Sequence, residues 1–188
     1  ASLPEGSPTP VRSPALASDR DVRWALVLGA SSGFGEACSL HLARAGWNVF
    51  GVHLDRKSTL SNVERIVAEI RGAGRRAEFF NVNAADDAKR AEVVAAIEKA
   101  CGSEPRESRV SVLLHSLAFG TLKPFFAQPR ELAIAKPQIE MTLDVMANSL
   151  VYWTQDLFFG GLLAPSARIF AMTSAGDHIV WPAYGAVS

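Results

Sequence analysis

Short apolar runs alternate along the chain with longer segments whose apolar residues recur at helical spacing. The runs "WALVL", "NVFGVHL" and "RVSVLLH" are short, rich in Val and Leu, and followed by polar or glycine-containing turns, as buried parallel strands are. "RAEFFNVN" and "ARIFAMTS" are predicted to be strands as well. Between the strands, "LSNVERIVAEIRGAG" places Val63, Ile66, Val67 and Ile70 on one helical face. The pattern predicts strands separated by helices.

This alternation indicates the fold class. "GFGEACSLHLARAG", "DDAKRAEVVAAIEKA" and a long segment over about residues 138–159 are also predicted to be helices. Strand–helix–strand units of this length require right-handed crossovers. We therefore predict an α/β fold, a doubly wound parallel sheet of Rossmann-like type, in a single domain over residues 21–188. Residues 1–20 are rich in Pro, Ser and Ala without periodicity, which predicts a disordered leader.

Composition narrows the range of partners. The 188 residues are 48% hydrophobic and 20% charged, with a net charge of zero, which is typical of a globular domain and argues against a nucleic-acid partner. No apolar run approaches the ~18 residues of a membrane span, so we expect no membrane partner and a cytoplasmic location. Cys38 and Cys101 match no metal or redox spacing, which favours a reducing compartment and predicts no metal site.

The segment "LVLGASSGFGEA" lies where a doubly wound sheet binds its ligand, between the first strand and the first helix. Gly29 allows a tight turn, Gly33 lets the backbone approach a pyrophosphate, and Gly35 allows close packing of helix and strand. The helix N-terminus offers free N–H groups and about half a positive charge to phosphates. A glycine-rich turn without a ligand is the alternative. The predicted contacts are Gly29, Ser31, Ser32, Gly33, Phe34 and Gly35.

This glycine spacing, together with Ser174 and Tyr184, resembles the short-chain dehydrogenase/reductase family over residues 22–188. "LLHSLAFG" stands where most members carry Asn-Asn-Ala-Gly, and its His-Ser pair is similar to the enoyl-acyl-carrier-protein reductase branch. The resemblance implies an oxidoreductase that reduces an enoyl or keto acyl thioester, either as a small molecule or on an acyl carrier. It also implies a homo-oligomer for the complete protein.

In this family the end of the second strand distinguishes the two dinucleotides. That position falls on His53, which cannot accept two ribose hydroxyls as a carboxylate would. Arg56 and Lys57 follow and are suited to a 2′-phosphate. We therefore expect NADPH, while Asp55 keeps NADH open, and a solvated polar turn is the alternative without a ligand.

Two further sets of contacts are implied by the resemblance. Either Asn81 or Asn83 should flank the adenine, and Asn83 is favoured. The loop after the fourth strand should line the coenzyme through its backbone, at Ser116, Leu117 and Ala118.

The resemblance also implies the catalytic groups. Tyr184 would donate a proton to the substrate oxygen, and Ser174 would hydrogen-bond that oxygen, with Thr173 as a substitute. Ordinary members carry a lysine four positions after the tyrosine, where this chain has Ser188. Enoyl reductases place it seven positions after, beyond Ser188. We therefore expect a fragment that lacks its last strands and has little turnover by itself.

Other interpretations stay open at this point. Ser188 would truly replace the lysine in a non-catalytic dinucleotide-binding paralogue, and an NAD preference would favour a carbonyl or alcohol oxidoreductase. Asn148 is either the anchor of a proton-relay water or an exposed helix residue. Tyr152 is expected to pack, and His41 and His178 have no partner at ligand spacing.

Overall fold

A computed structural model of the chain describes residues 23–102, 109–179 and 181–188, so the predicted leader lies outside the described residues. Every pair of neighbouring strands in the sheet is parallel, and the strand order is β3-β2-β1-β4-β5. This arrangement confirms the predicted fold class. The strands are β1 (Trp24–Leu28), β2 (Asn48–His53), β3 (Ala77–Asn81), β4 (Val110–His115) and β5 (Leu163–Ala171).

Helices connect the strands as the periodicity predicts. They are α1 (Gly33–Arg44), α2 (Leu60–Gly72), α3 (Asp87–Cys101), α4 (Lys136–Leu143) and α5 (Ser149–Phe159). The segment predicted as one helix over residues 138–159 is divided, because a π-helical turn at Asp144–Asn148 separates α4 from α5. It also begins earlier than predicted. Pro137 fits the first helical turn, where no backbone N–H is needed, and the Gln138 side chain accepts the N–H of Ala135 at 3.0 Å.

The core lies on both faces of the sheet. All five residues of β1 are fully buried, as expected for the central strand of a sheet covered on both sides. On one face, Trp153 and Leu157 of α5 and Ile97 of α3 pack against the sheet. On the other face, Ile66 and Ile70 of α2 do so. Among the described residues, no helix is both long and apolar enough to cross a membrane.

The amino-terminal rim of the sheet is held by aromatic packing. Trp24 stacks on Phe50 with ring centroids 3.9 Å apart. The Arg76 guanidinium lies 4.7 Å from the centroid of the Trp24 ring, within cation–π range.

The strand order reverses between β1 and β4. The chain runs outward from β1 to β2 and β3, and then returns to place β4 on the other side of β1. Because the following loops leave in opposite directions, a crevice opens at the carboxyl ends of β1 and β4. Leu28 and His115 are register partners there, and the N–H of Ser116 donates to the Leu28 carbonyl at 2.8 Å.

Candidate functional site

The loop between β1 and α1 and the first turn of α1 make two close backbone approaches that require glycine. Gly29 has φ +87°, and a Cβ there would lie 2.3 Å from the carbonyl oxygen of Ser116. A Cβ on Gly35 would lie 2.0 Å from the carbonyl oxygen of Gly29. Both contacts involve backbone atoms, so a side chain at either position would displace the loop.

Gly33 differs from the other two glycines of this loop. Its φ is +55°, a left-handed conformation that favours glycine, but a Cβ would meet nothing within 4 Å. The open space beside it is part of a cavity of about 350 Å³, which we call the loop cavity. In the described part of the chain, the backbone N–H groups of Ser32, Gly33 and Phe34 have no acceptor. Unpaired donors at a helix N-terminus, next to a cavity, form a suitable site for a phosphate.

Most of the residues predicted to bind the coenzyme line the loop cavity. Those in its wall are Gly29, Ser31, Ser32, Gly33, Phe34, His53, Asn83, Ser116, Leu117 and Ala118. Gly35, Asp55 and Arg56 are not part of this wall. The remaining wall residues are mostly apolar and include Val52, Leu54, Val82 and Met141.

His53 is less accessible than the sequence suggests. Its side chain is 3% exposed, and Nδ1 lies 2.9 Å from the Asp55 carboxylate. Burial lowers the pKa of His53 despite the neighbouring carboxylate, so the ring is neutral near pH 7 and donates its Nδ1–H to Asp55. Although burial acts to raise the pKa of Asp55, the nearby hydroxyls of Ser31 and Thr59 and the His53 ring hold it below its usual range.

Asn81 fixes the backbone at Asp55. Its side-chain oxygen accepts the Asp55 N–H at 2.8 Å, and its amide nitrogen donates to the Asp55 carbonyl at 3.0 Å. Both polar atoms of the Asn81 side chain therefore bond to this turn, whereas Asn83 lies in the wall of the loop cavity. Beyond the turn, Arg56 and Lys57 are exposed, and neither forms an ion pair with any of the described residues.

A second cavity, of about 500 Å³, adjoins the first, and we call it the tyrosine cavity. The two cavities share four wall residues, which are Phe34, Ser116, Leu117 and Ala118. The wall of the tyrosine cavity also includes Thr173, Ser174, Tyr184 and Ser188.

Ser174 and Tyr184 approach each other across Gly176. A Cβ on Gly176 would lie 2.6 Å from Cε1 of Tyr184 and 3.3 Å from Oγ of Ser174. The Ser174 Oγ accepts the Gly176 N–H at 3.2 Å, which caps a short 3-10 turn. This bond uses an oxygen lone pair and leaves the Ser174 hydroxyl proton free to donate. The half-buried Tyr184 ring packs edge-to-face on Trp181, with centroids 5.4 Å apart.

A buried polar network beside the two cavities was not predicted. His115 at the end of β4 has Nε2 2.9 Å from Oγ of Ser149, and the Ser149 hydroxyl donates to the Val145 carbonyl at 2.8 Å. Because the serine proton is already used, Nε2–H of His115 must be the donor to Ser149. Burial lowers the pKa of His115, so the ring is neutral near pH 7.

This network holds the π turn, Asp144–Asn148, which borders both cavities. Val145 lies in the wall of the loop cavity, while Met146 and Ala147 lie in the wall of the tyrosine cavity. The only sequence signal was the His-Ser pair in "LLHS", which indicated a branch of a family but not a partner for the histidine.

The other residues singled out in the sequence lie outside the cavities. Asn148 is exposed, with its amide 3.5 Å from the Asp144 carboxylate, and Tyr152 donates to the same carboxylate at 2.9 Å. His41 and His178 are exposed. Among the described residues, no group of three or more His, Cys, Asp and Glu side chains could hold a metal ion.

Comparison with known sequences assigns these features to one group of enzymes. A sequence model described as enoyl-(acyl carrier protein) reductase matches residues 29–188. An enoyl-acyl-carrier-protein reductase (NADH) from Xanthomonas oryzae pv. oryzae strain MAFF 311018 is 27% identical over 197 residues, covering 85% of this chain and 48% of that protein. The enzyme of strain PXO99A is also 27% identical. The chain thus spans about half the length of the curated relatives it matches.

Solved structures share the fold. A short-chain dehydrogenase/reductase from Serratia marcescens BCRC 10948 is 19% identical with a TM-score of 0.70, covering 90% of this chain and 62% of that one. A short-chain dehydrogenase from Burkholderia cenocepacia J2315, solved in complex with NADP, is 22% identical with a TM-score of 0.70, covering 90% and 63%. At this level of identity the likeness shows the arrangement of strands and helices.

Proposed function

The chain belongs to the enoyl-(acyl carrier protein) reductase family, and we propose that it binds NADPH in the loop cavity and reduces an enoyl or keto acyl thioester in the tyrosine cavity. The observation that carries this proposal is the shared wall between the two cavities. Free backbone donors suited to a diphosphate border one cavity, and a phenol with a serine hydroxyl borders the other.

The preference for NADPH is supported by the charges around the turn after β2. The Asp55 carboxylate faces the His53 ring at 2.9 Å and lies outside the cavity wall, so it is poorly placed to accept two ribose hydroxyls. Arg56 and Lys57 are exposed beside it. A guanidinium is well suited to a 2′-phosphate because it presents several N–H donors in one plane.

The proposed chemistry uses two side chains. The bound dinucleotide supplies the hydride. With a keto thioester the hydride would go to the keto carbon, the Tyr184 hydroxyl would donate its proton to the keto oxygen, and the Ser174 hydroxyl would donate a hydrogen bond to that oxygen. With an enoyl thioester the hydride would go to the β carbon, Tyr184 would protonate the enolate oxygen held by Ser174, and the enol would tautomerise to the saturated thioester. The wall of the same cavity also contains the apolar residues Leu122, Leu143 and Met146.

Coenzyme binding tests the first half of the proposal. Arg56→Ala should weaken NADPH binding about tenfold, the cost of one charged hydrogen bond to phosphate, and leave NADH binding unchanged. Dissociation constants follow from the fluorescence of the bound nicotinamide. Lys99→Ala, an exposed charge in the last turn of α3, is the control and should change neither constant. Equal losses for both dinucleotides would contradict the assignment of the 2′-phosphate to Arg56.

Turnover tests the second half. In the complete polypeptide, Tyr184→Phe should abolish oxidation of NADPH by a crotonyl or acetoacetyl thioester while the dissociation constant for NADPH stays unchanged. The faster of the two substrates identifies the chemistry as enoyl or keto reduction. Ser188, in the tyrosine cavity four positions after Tyr184, favours a second candidate, a dinucleotide-binding protein without catalysis. NADPH binding without turnover of either thioester would support that second candidate.

A further inference from the structure

Asn62 of α2 contacts the loop between β1 and α1, and Arg65 of the same helix contacts Asn62. The amide nitrogen of Asn62 donates to the Ser31 carbonyl at 2.8 Å and to the Glu36 carboxylate at 3.0 Å. The amide oxygen of Asn62 accepts from the guanidinium of Arg65 at 2.8 and 3.2 Å. Arg65 in turn forms an ion pair with Glu36. Asn62 therefore connects the loop, the first turn of α1 and the guanidinium of Arg65.

The bond to Ser31 orients a neighbouring donor. In a trans peptide the carbonyl and the following N–H point in opposite directions. Because the Ser31 carbonyl points to Asn62 on α2, the N–H of Ser32 points away from α2. That N–H is one of the unpaired donors beside the loop cavity.

Glu36 presents an electrostatic conflict. It lies in the first turn of α1, where a carboxylate opposes the positive potential that a phosphate would experience. The hydrogen bond from Asn62, together with the charge and hydrogen bond of Arg65, lowers the pKa of Glu36 although burial acts to raise it, so Glu36 is ionised at neutral pH. Unless this charge is compensated, it would weaken the binding of an anion at the N-terminus of α1.

Arg65 supplies the compensating charge within a larger network. Its guanidinium pairs with Glu36 and with Glu69, and Arg44 lies 3.7 Å from the second oxygen of Glu69. Two acidic and two basic side chains thus balance each other. Arg44 contacts Glu69 but not Glu36, so it offers a matched comparison for the role of Arg65.

We propose that Asn62 and Arg65 are positioning residues of the dinucleotide site, in which Asn62 fixes the Ser31–Ser32 peptide and Arg65 neutralises Glu36 so that the diphosphate can bind. This inference rests on the proposed function, because it requires a diphosphate in the loop cavity. It assigns to α2 a role in coenzyme affinity although neither side chain is part of the cavity wall.

The test is NADPH binding to the chain and to surface variants of it. Arg65→Ala should raise the dissociation constant about threefold to tenfold, the effect of one uncompensated charge at a helix N-terminus. Arg44→Ala removes the same charge from the same network and should change it less than about twofold. Arg65→Lys should restore most of the affinity. Adding Glu36→Gln to Arg65→Ala should return the constant to the wild-type value, an effect that a purely structural role of Arg65 would not produce.

The geometric part has its own variant. Asn62→Ala should weaken NADPH binding even in the Glu36→Gln background, since the orientation of the Ser32 N–H does not depend on that charge. If the wild-type chain binds no dinucleotide, both the proposed function and this inference are wrong. If the wild type binds but Arg65→Ala and Arg44→Ala behave alike, or if Glu36→Gln fails to reverse Arg65→Ala, the inference alone is overturned.

Discussion

Replacing Ser149 by alanine should destabilise the fold because His115 loses its hydrogen-bond partner. His115 and Ser149 are 3% and 0% exposed, and Nε2 lies 2.9 Å from Oγ. The substitution removes the Oγ that accepts the Nε2–H of His115, and both side chains are buried. It also removes the bond from Ser149 to the Val145 carbonyl, which closes the π turn.

The size of the effect follows from three contributions. A buried donor left without a partner costs about 1–3 kcal/mol, and this loss dominates. Loss of the bond to the Val145 carbonyl adds to it. The higher helix propensity of alanine returns about 0.5 kcal/mol. We therefore expect the free energy of unfolding to fall by about 2 kcal/mol.

Urea unfolding followed by tryptophan fluorescence measures this change, since the chain has four tryptophans and Trp153 of α5 is fully buried. Thr154→Ala is the matched control. Thr154 lies on the same helix and donates to the Leu150 carbonyl at 2.7 Å, but it is only half-buried and accepts nothing from the sheet. It should change the free energy by less than about 0.5 kcal/mol. Equal losses in the two variants would refute the role given to His115.

Two further predictions concern the glycines and the histidines. Gly35→Ala should lower the free energy of unfolding by about 1–3 kcal/mol because its Cβ would meet the Gly29 carbonyl at 2.0 Å. Gly33→Ala has room for its Cβ but is strained by φ +55°, so it should lower the free energy of unfolding by only about 1 kcal/mol and should also raise the dissociation constant for NADPH. Urea unfolding and nicotinamide fluorescence separate the two effects, and the reverse ranking would contradict the geometry. Stability should also decrease as the pH falls below 6.5, because burial lowers the pKa of His53 and His115 in the folded chain and the unfolded chain binds protons first. Replacing both histidines by glutamine should make the urea midpoint change less with pH between pH 6.5 and about pH 5. If the midpoint of this variant changed with pH as much as that of the wild type, the burial of the two rings in neutral form would be contradicted.

The alternation of elements was predictable because each element carries its own local signal. The burial of "WALVL" and the helical stripe of Val63, Ile66 and Ile70 depend on residues within a few positions of each other, and the structure shows both as expected. The parallel sheet then follows from crossover geometry, and the fold class is confirmed.

The π turn and its network were not predictable from such signals. The apolar stripe continues through Asp144–Asn148, so periodicity cannot reveal that the hydrogen bonding changes there. His115 and Ser149 lie 34 positions apart, and nothing local to either residue indicates the other. The orientation of His53 is likewise set by its contact with Asp55 and by its burial next to Phe79, which only the folded chain brings about.

The residues named for the candidate site, and their roles, stay predictions. The glycine spacing indicated which end of β1 to examine, and the structure places ten of the named residues around one cavity there. The pairing of Arg65 with Glu69 follows from their spacing of four positions in one helix, whereas the pairing of Arg65 with Glu36 joins two helices and has no local sequence signal.

The two rims of the sheet differ in the residues that form them. At the amino-terminal rim, Trp24, Phe50 and Arg76 are locked together by stacking. At the carboxyl rim, the loops that follow β1 and β4 supply residues to the walls of the cavities. Substitutions in the loops at the carboxyl rim can therefore change the contacts to a ligand without touching the aromatic packing at the opposite rim.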